Sequence, residues 1–240
     1  MTLKAFHGDP LIKRTYLSRV KAHEKADEII KGQYWKEGKG CAVGCTIHGD
    51  NHSAYETELG IPEALARLQD NIFEGLPNSL AKTWPARFLK AIRPGADLSK
   101  ASDEFIVWLL TDEKYGVLQF AMTDEAKEAI QTVSDLFLFK LAGAYIHKED
   151  WGDAANAATY AAYAATNAAT YAANAAYYAA TYATDAADAA TYAATFAATF
   201  AACSAYAANV AAYAAYATAG TAIARVAQSE KLLSLLKGAK

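Results

Sequence analysis

The sequence predicts an all-α protein: a bundle of short helices over residues 1–150, an alanine-rich helical repeat over 151–220, and an amphipathic closing helix over 221–240. Three observations predict this class. First, 35 of the 64 residues from Ala154 to Ala217 are alanine, the strongest helix former. Second, alanine pairs begin at 154, 157, 161, 164, 168, 172, 175 and 179, spacings of three and four that lay one continuous stripe along a helix. Third, the period of two that a half-buried strand requires is missing elsewhere.

In chain order, LIKRTYLSRVKAHEKADEIIKGQYW carries a helical apolar period through Leu17, Val20, Ile29 and Ile30. A glycine-containing loop, EGKGCAVGCTIHGDNH, follows it. IPEALARLQDNIFEGL places Pro62 at a helix start. SLAKTWPARFLKAI and SKASDEFIVWLL read as further helices, and Thr123, Asp124 and Glu125 open another over TDEAKEAIQTVSDLFLFKLAG. After Gly220, TAIARVAQSEKLLSLLKGA offers Leu232, Leu233, Leu235 and Leu236 for docking.

Within the repeat, Thr159-Tyr160, Thr170-Tyr171 and Thr181-Tyr182 each open an 11-residue unit. Eleven residues in three turns favours nearly straight packing over the heptad supercoil. One helix of 64 residues would be about 96 Å long, at ~1.5 Å per residue, and would expose an aromatic ridge over its whole length. The segment is therefore expected to fold back on itself, with breaks near Asp185 or Cys203-Ser204, or to pack on the N-terminal domain or a partner chain, including another copy. Alanine supplies a close seam, and Tyr160, Tyr171, Tyr178, Tyr182 and Tyr192 supply a surface for a protein partner or small ligand.

Residues 1–153 carry a net charge of −4 and residues 154–240 of +1, giving −3 for the chain. Neither region has the basic footprint of a nucleic-acid binder. The N-terminal residues lack an uninterrupted apolar run, and Asn, Thr, Tyr and Asp interrupt the repeat. Neither a secretory signal nor a membrane span is expected. Three cysteines without a secretory signal fit a reducing cytoplasm.

One cluster carries candidate chemistry. Cys41, Cys45, His48 and His52 stand at C-x3-C-x2-H-x3-H, the residue types that hold tetrahedral zinc. The other reading is a glycine-rich loop with packed cysteines and backbone-bonded histidines, without a cofactor. Phosphate-loop, dinucleotide-binding and nucleophile-elbow motifs are missing. Trp35, Trp84, Trp108 and Trp151 read as core or docking aromatics.

HGDNH resembles a fragment of the metallophosphoesterase pattern, which implies metal ligation by its Asp, Asn and His and hydrolysis there. A second carboxylate for acid–base chemistry could come from Glu56 or Glu58, the other reading being that Ser53 or Glu56 starts a helix. The Thr/Ala repeat resembles alanine-rich helical antifreeze proteins, which implies ice binding. GCTIHGDNHSAYETELGIPEALARL, IFEGLPN, the Ala-aromatic repeat and EKLLSLL together resemble uncharacterised bacteriophage and prophage proteins. That resemblance implies a phage setting in a host cytoplasm and no established activity. The expected function is a non-enzymatic, phage-derived binding protein that blocks a host factor or sequesters a host signalling nucleotide. The alternatives are a virion or scaffold protein, a metal-dependent hydrolase at the 41–52 loop, and an ice-binding protein.

Overall fold

The structure is a computed structural model that describes residues 3–121, 123–164 and 213–240. The described chain is α-helical apart from one two-stranded hairpin. It divides into two compact units, residues 1–101 with 229–240, and residues 102–228. No helix among the described residues is long and apolar enough to cross a membrane.

In the first unit, a 3-10 turn at Ala5–Gly8 buries Phe6 and exchanges backbone hydrogen bonds with the 95–96 loop: Ala5 N–H donates to Ala96 O at 2.9 Å, and Gly95 N–H to Ala5 O at 2.7 Å. Helix α1 (Pro10–Lys25) starts where Asp9 accepts from Leu11 N–H and Pro10 supplies a pre-set φ. The helical period through Ile30 predicts a longer helix. The chain instead leaves it at Asp27, whose φ of 57° is left-handed, and Ile29 forms a parallel bridge with Gly40.

Strands β1 (Trp35–Lys36) and β2 (Lys39–Gly40) form an antiparallel hairpin, with Trp35 opposite Gly40 and Lys36 opposite Lys39. Its two-residue turn, Glu37-Gly38, has positive φ at both positions, which matches the natural twist of paired strands. Its second strand falls in the segment expected to be a loop, whereas Trp35 of its first strand ends the segment expected to be helical. Then come α2 (Ala42–Ile47), α3 (Ala54–Leu59), α4 (Glu63–Gly75), α5 (Asn78–Ala81) and α6 (Trp84–Ala91). The single helix expected over SLAKTWPARFLKAI is two, because Thr83 and Pro85 open a new first turn.

The core of this unit is built from Phe6, Val20, Tyr55, Leu65, Leu68, Ile72, Trp84 and Phe88, all fully buried. The closing leucines Leu232, Leu233 and Leu236 are also buried, and Arg87 pairs with Glu230 at 2.5 Å. Asp97 N–H donates to Lys240 O, which ties down the last residue.

In the second unit, α7 (Ala101–Thr111) and a 3-10 turn at Val117–Phe120 precede α8 (Asp124–Leu141), capped by Thr123 as its sequence predicts. Helix α9 (Lys148–Ala164) packs on α8. Trp151 sits 4.9 Å from Phe137, and Ala154, Ala155 and Ala158 are buried with it. The opening turns of the alanine-rich region thus use alanine for close contact with a neighbouring helix. Helix α10 (Tyr213–Gly238) runs through Gly220, so the closing helix begins earlier than expected, and its last turns belong to the first unit. The compact units divide at 101/102 and 228/229 rather than at 150 and 220. Composition marks where alanine begins, whereas packing joins α8 to α9 across that point.

Two glycines test this packing. A Cβ on Gly44 would fall inside the van der Waals envelope of the Tyr34 carbonyl oxygen, whereas one on Gly152 in α9 would meet open space. Gly44→Ala is expected to lower unfolding free energy by about 3 kcal/mol despite alanine's better helix propensity. Gly152→Ala should raise it by about 0.5–1 kcal/mol. Chemical denaturation of the two variants reads both signs.

Candidate functional site

The site begins with a close approach of backbones. Gly40 and Gly44 lie directly against the Tyr34 carbonyl, with no room for a side chain at either. Cys41 N–H donates to Gln33 O at 2.7 Å and to Tyr34 O at 3.2 Å. Residues 33–34 are therefore fixed over the start of α2, and the Tyr34 side chain is left 47% exposed.

Helix α4 supplies the facing wall. Its apolar residues Leu65, Leu68, Ile72 and Phe73 are buried, and Asp70 stands on the same inward side. One turn later, Glu74 accepts Gly32 N–H on both oxygens at 3.1 Å. Gly32, Gln33, Tyr34, Cys41, Asp70 and Glu74 enclose a cleft of about 370 Å³, within the range that suits a small molecule.

Asp70 is only 8% exposed. Its Oδ2 faces His52 Nε2 at 3.5 Å, and Oδ1 has no hydrogen-bond partner. The ring of Tyr34 meets His52 edge-on at 5.4 Å. Burial raises the Glu74 pKa; the Gly32 N–H opposes that shift, and the charge of Asp70 adds to it. Burial also raises Tyr34, again with Asp70 adding to the effect.

The cysteines are held as neutral thiols. Burial pushes Cys41 far up, and the nearby Asp70 charge pushes it further; its sulfur accepts from Gly44 N–H at 3.4 Å. Burial raises Cys45 to about 12, and its thiol donates to Gly40 O at 3.3 Å. A nucleophilic cysteine needs the opposite arrangement, a base or cation that lowers its pKa. Here a carboxylate, not an imidazole, acts on the Cys41 sulfur.

The four residues predicted as zinc ligands are not gathered at one point. Cys41 lines the cleft, Cys45 packs in α2, and His52 pairs with Asp70. His48 caps α2 in a left-handed conformation (φ 55°), and its Nε2 meets His23 Nε2 at 2.9 Å. The other nitrogen of His23 contacts Glu28 Oε2 at 2.6 Å, and Trp35 stacks on His48 with 4.4 Å between ring centres. Burial lowers the His48 pKa, followed by the charges of Arg19 and His23, with Glu58 opposing them. This chain of Glu28, His23, His48 and Trp35 joins α1, the hairpin and α2. Among the described residues, no three of His, Cys, Asp and Glu are grouped to hold a metal ion.

The phosphoesterase-like fragment is likewise engaged in structure. Asn51 Oδ1 accepts from Ser53 N–H and Oγ, a turn that opens α3. Glu56 accepts Glu63 N–H, and Glu58 accepts the Tyr16 hydroxyl. Of the predicted recognition tyrosines, Tyr160 falls in α9 and its side chain lies outside the described residues. Tyr171, Tyr178, Tyr182 and Tyr192 lie outside them altogether.

The sequence reading missed Tyr34, Asp70 and Glu74. One signal was present: Asp70 follows Ala66 by four residues and precedes Phe73 by three, so it interrupts an otherwise apolar stripe. No protein-family model matches the chain, and neither a curated protein nor a solved structure matches it.

Because the Asp70 charge helps to hold the Cys41 thiol protonated, Asp70→Asn should speed alkylation of Cys41 by iodoacetamide near pH 8. Each unit of pKa lowering would give about a tenfold gain in thiolate. Mass-spectrometric rates per cysteine check this, with Cys45 as the internal reference.

Proposed function

We propose that this is a non-enzymatic binding protein whose first unit takes a small polar ligand in the cleft between Tyr34 and α4. The observation that carries this reading is the Asp70 carboxylate, almost fully buried, with one oxygen unpartnered beside that cleft. A buried acceptor left unsatisfied costs about 1–3 kcal/mol, more when charged, so a donor from a ligand or an ordered water has a large effect there. The neutral thiols and the engaged histidines favour binding over turnover.

The phage setting implied by the sequence resemblance extends the proposal: the ligand would be a host small molecule withdrawn from circulation in the host cytoplasm. Sequestration of a signalling nucleotide through its phosphates fits this cleft poorly, because Asp70 and Glu74 would repel them. Of the alanine-rich repeat of residues 151–220, from which recognition and assembly roles are expected, residues 165–212 lie outside the described residues.

The test is equilibrium dialysis of the full chain against a small-molecule extract of bacterial cells, read by mass spectrometry. A molecule enriched by the native protein, released chemically unchanged, and not retained by Tyr34→Ser or Asp70→Asn is the expected result. Enrichment of nothing, or conversion of the molecule to a product, would overturn the proposal; conversion would return the hydrolase reading.

A further inference from the structure

We infer that the ligand of the Tyr34–Asp70 cleft is a small organic cation carrying a guanidinium or primary ammonium group, an inference that rests on the binding reading above. Two features of the cleft select that class together: its charge and its unfilled acceptor.

Asp70 and Glu74 are the charged residues that line the cleft. The Lys31 charge reaches Glu74 and the Arg67 charge reaches Tyr34, but each of these cations is bonded to another group. Lys31 Nζ donates to the Leu76 carbonyl, and Arg67 donates to Glu63 Oε1 at 2.9 and 2.7 Å. His52 faces the other oxygen of Asp70. The two carboxylates, one helical turn apart, therefore dominate the interior, and the charge of Asp70 already raises the Glu74 pKa.

The acceptor decides between a cation and a merely polar ligand. No nitrogen or hydroxyl donor reaches Asp70 Oδ1, and the Cys41 thiol, whose interaction with Asp70 helps to raise its own pKa, is a weak donor. An N–H of a guanidinium or ammonium group gives a charge-assisted hydrogen bond to a carboxylate, roughly twice as strong as a neutral one. Tyr34, half exposed at the mouth, presents a ring on which such a cation can also rest. Gly32 and Gln33 add only backbone and amide groups, so nothing on that wall opposes a positive ligand.

The probe is agmatine, which carries both groups on a four-carbon chain, titrated into the full-length protein at low ionic strength and followed by amide chemical shifts of residues 32–34. Hexane-1,6-diol is the neutral control and inorganic phosphate the anionic one. Saturable agmatine binding is expected, weakened at least tenfold by Asp70→Asn, less by Glu74→Gln, and also by Tyr34→Ser, with diol and phosphate inert. Melting curves show whether each variant is folded; should Asp70→Asn fail to fold, Tyr34→Ser, altering a half-exposed residue, still decides the matter. Agmatine binding that the folded variants leave unchanged, or no binding at all, would overturn the inference, the latter leaving Oδ1 to a buried water. If dialysis meanwhile finds a neutral or anionic molecule retained through Asp70 and Tyr34, the binding reading stands and only the cationic class falls.

Discussion

The site depends on one close contact, the seating of the Tyr34 carbonyl against Gly40 and Gly44. A Cβ at either position would drive the 33–34 segment away from the start of α2. With the segment seated, Cys41 N–H reaches Gln33 O, the hairpin turns back at Glu37-Gly38, and Gly32 N–H comes within reach of Glu74. The cleft follows from that contact. Its one wall is a backbone locked by glycine clearance, and its other wall is a helix locked by the core.

That division of labour explains how a charged residue is tolerated on a core-facing stripe. Leu65, Leu68, Ile72 and Phe73 bury apolar surface on both sides of Asp70 in sequence, and each such side chain contributes about 1.5–3 kcal/mol. The helix can therefore hold one incompletely compensated carboxylate. His52, in the loop after α2, places its Nε2 3.5 Å from Asp70 Oδ2. His48, four residues earlier, turns instead toward His23 and Trp35 and helps to fasten α1 to the hairpin. Two histidines that look like one ligand pair in sequence thus serve separate places in the fold.

Local signals carried the helical class and many element starts. Pro62 and Thr123 mark helix starts that the structure has, because such signals act within the first turn. The closing leucines also dock, with Leu232, Leu233 and Leu236 buried. The hairpin was not legible as strand, since two residues per strand cannot show alternation. The cleft was not legible either: it joins residues 32–41 to residues 70–74, a pairing that helical periodicity does not encode. The Cys/His spacing promised a single site, and the left-handed turn at His48 sends its ring away from His52 toward α1. The alanine stripe was legible as a packing face where α9 meets α8, at Ala154, Ala155 and Ala158.

Glycine clearance at 40 and 44 locks residues 33–34 into place and so builds one wall of the cleft. Amide hydrogen exchange at Cys41, whose N–H donates to Gln33 and Tyr34 carbonyls, measures that lock most directly. Protection at Cys41 is expected to come close to that of the buried middle of α4, opening only with global unfolding. Exchange at the rate of an exposed loop, while α4 stays protected, would contradict it.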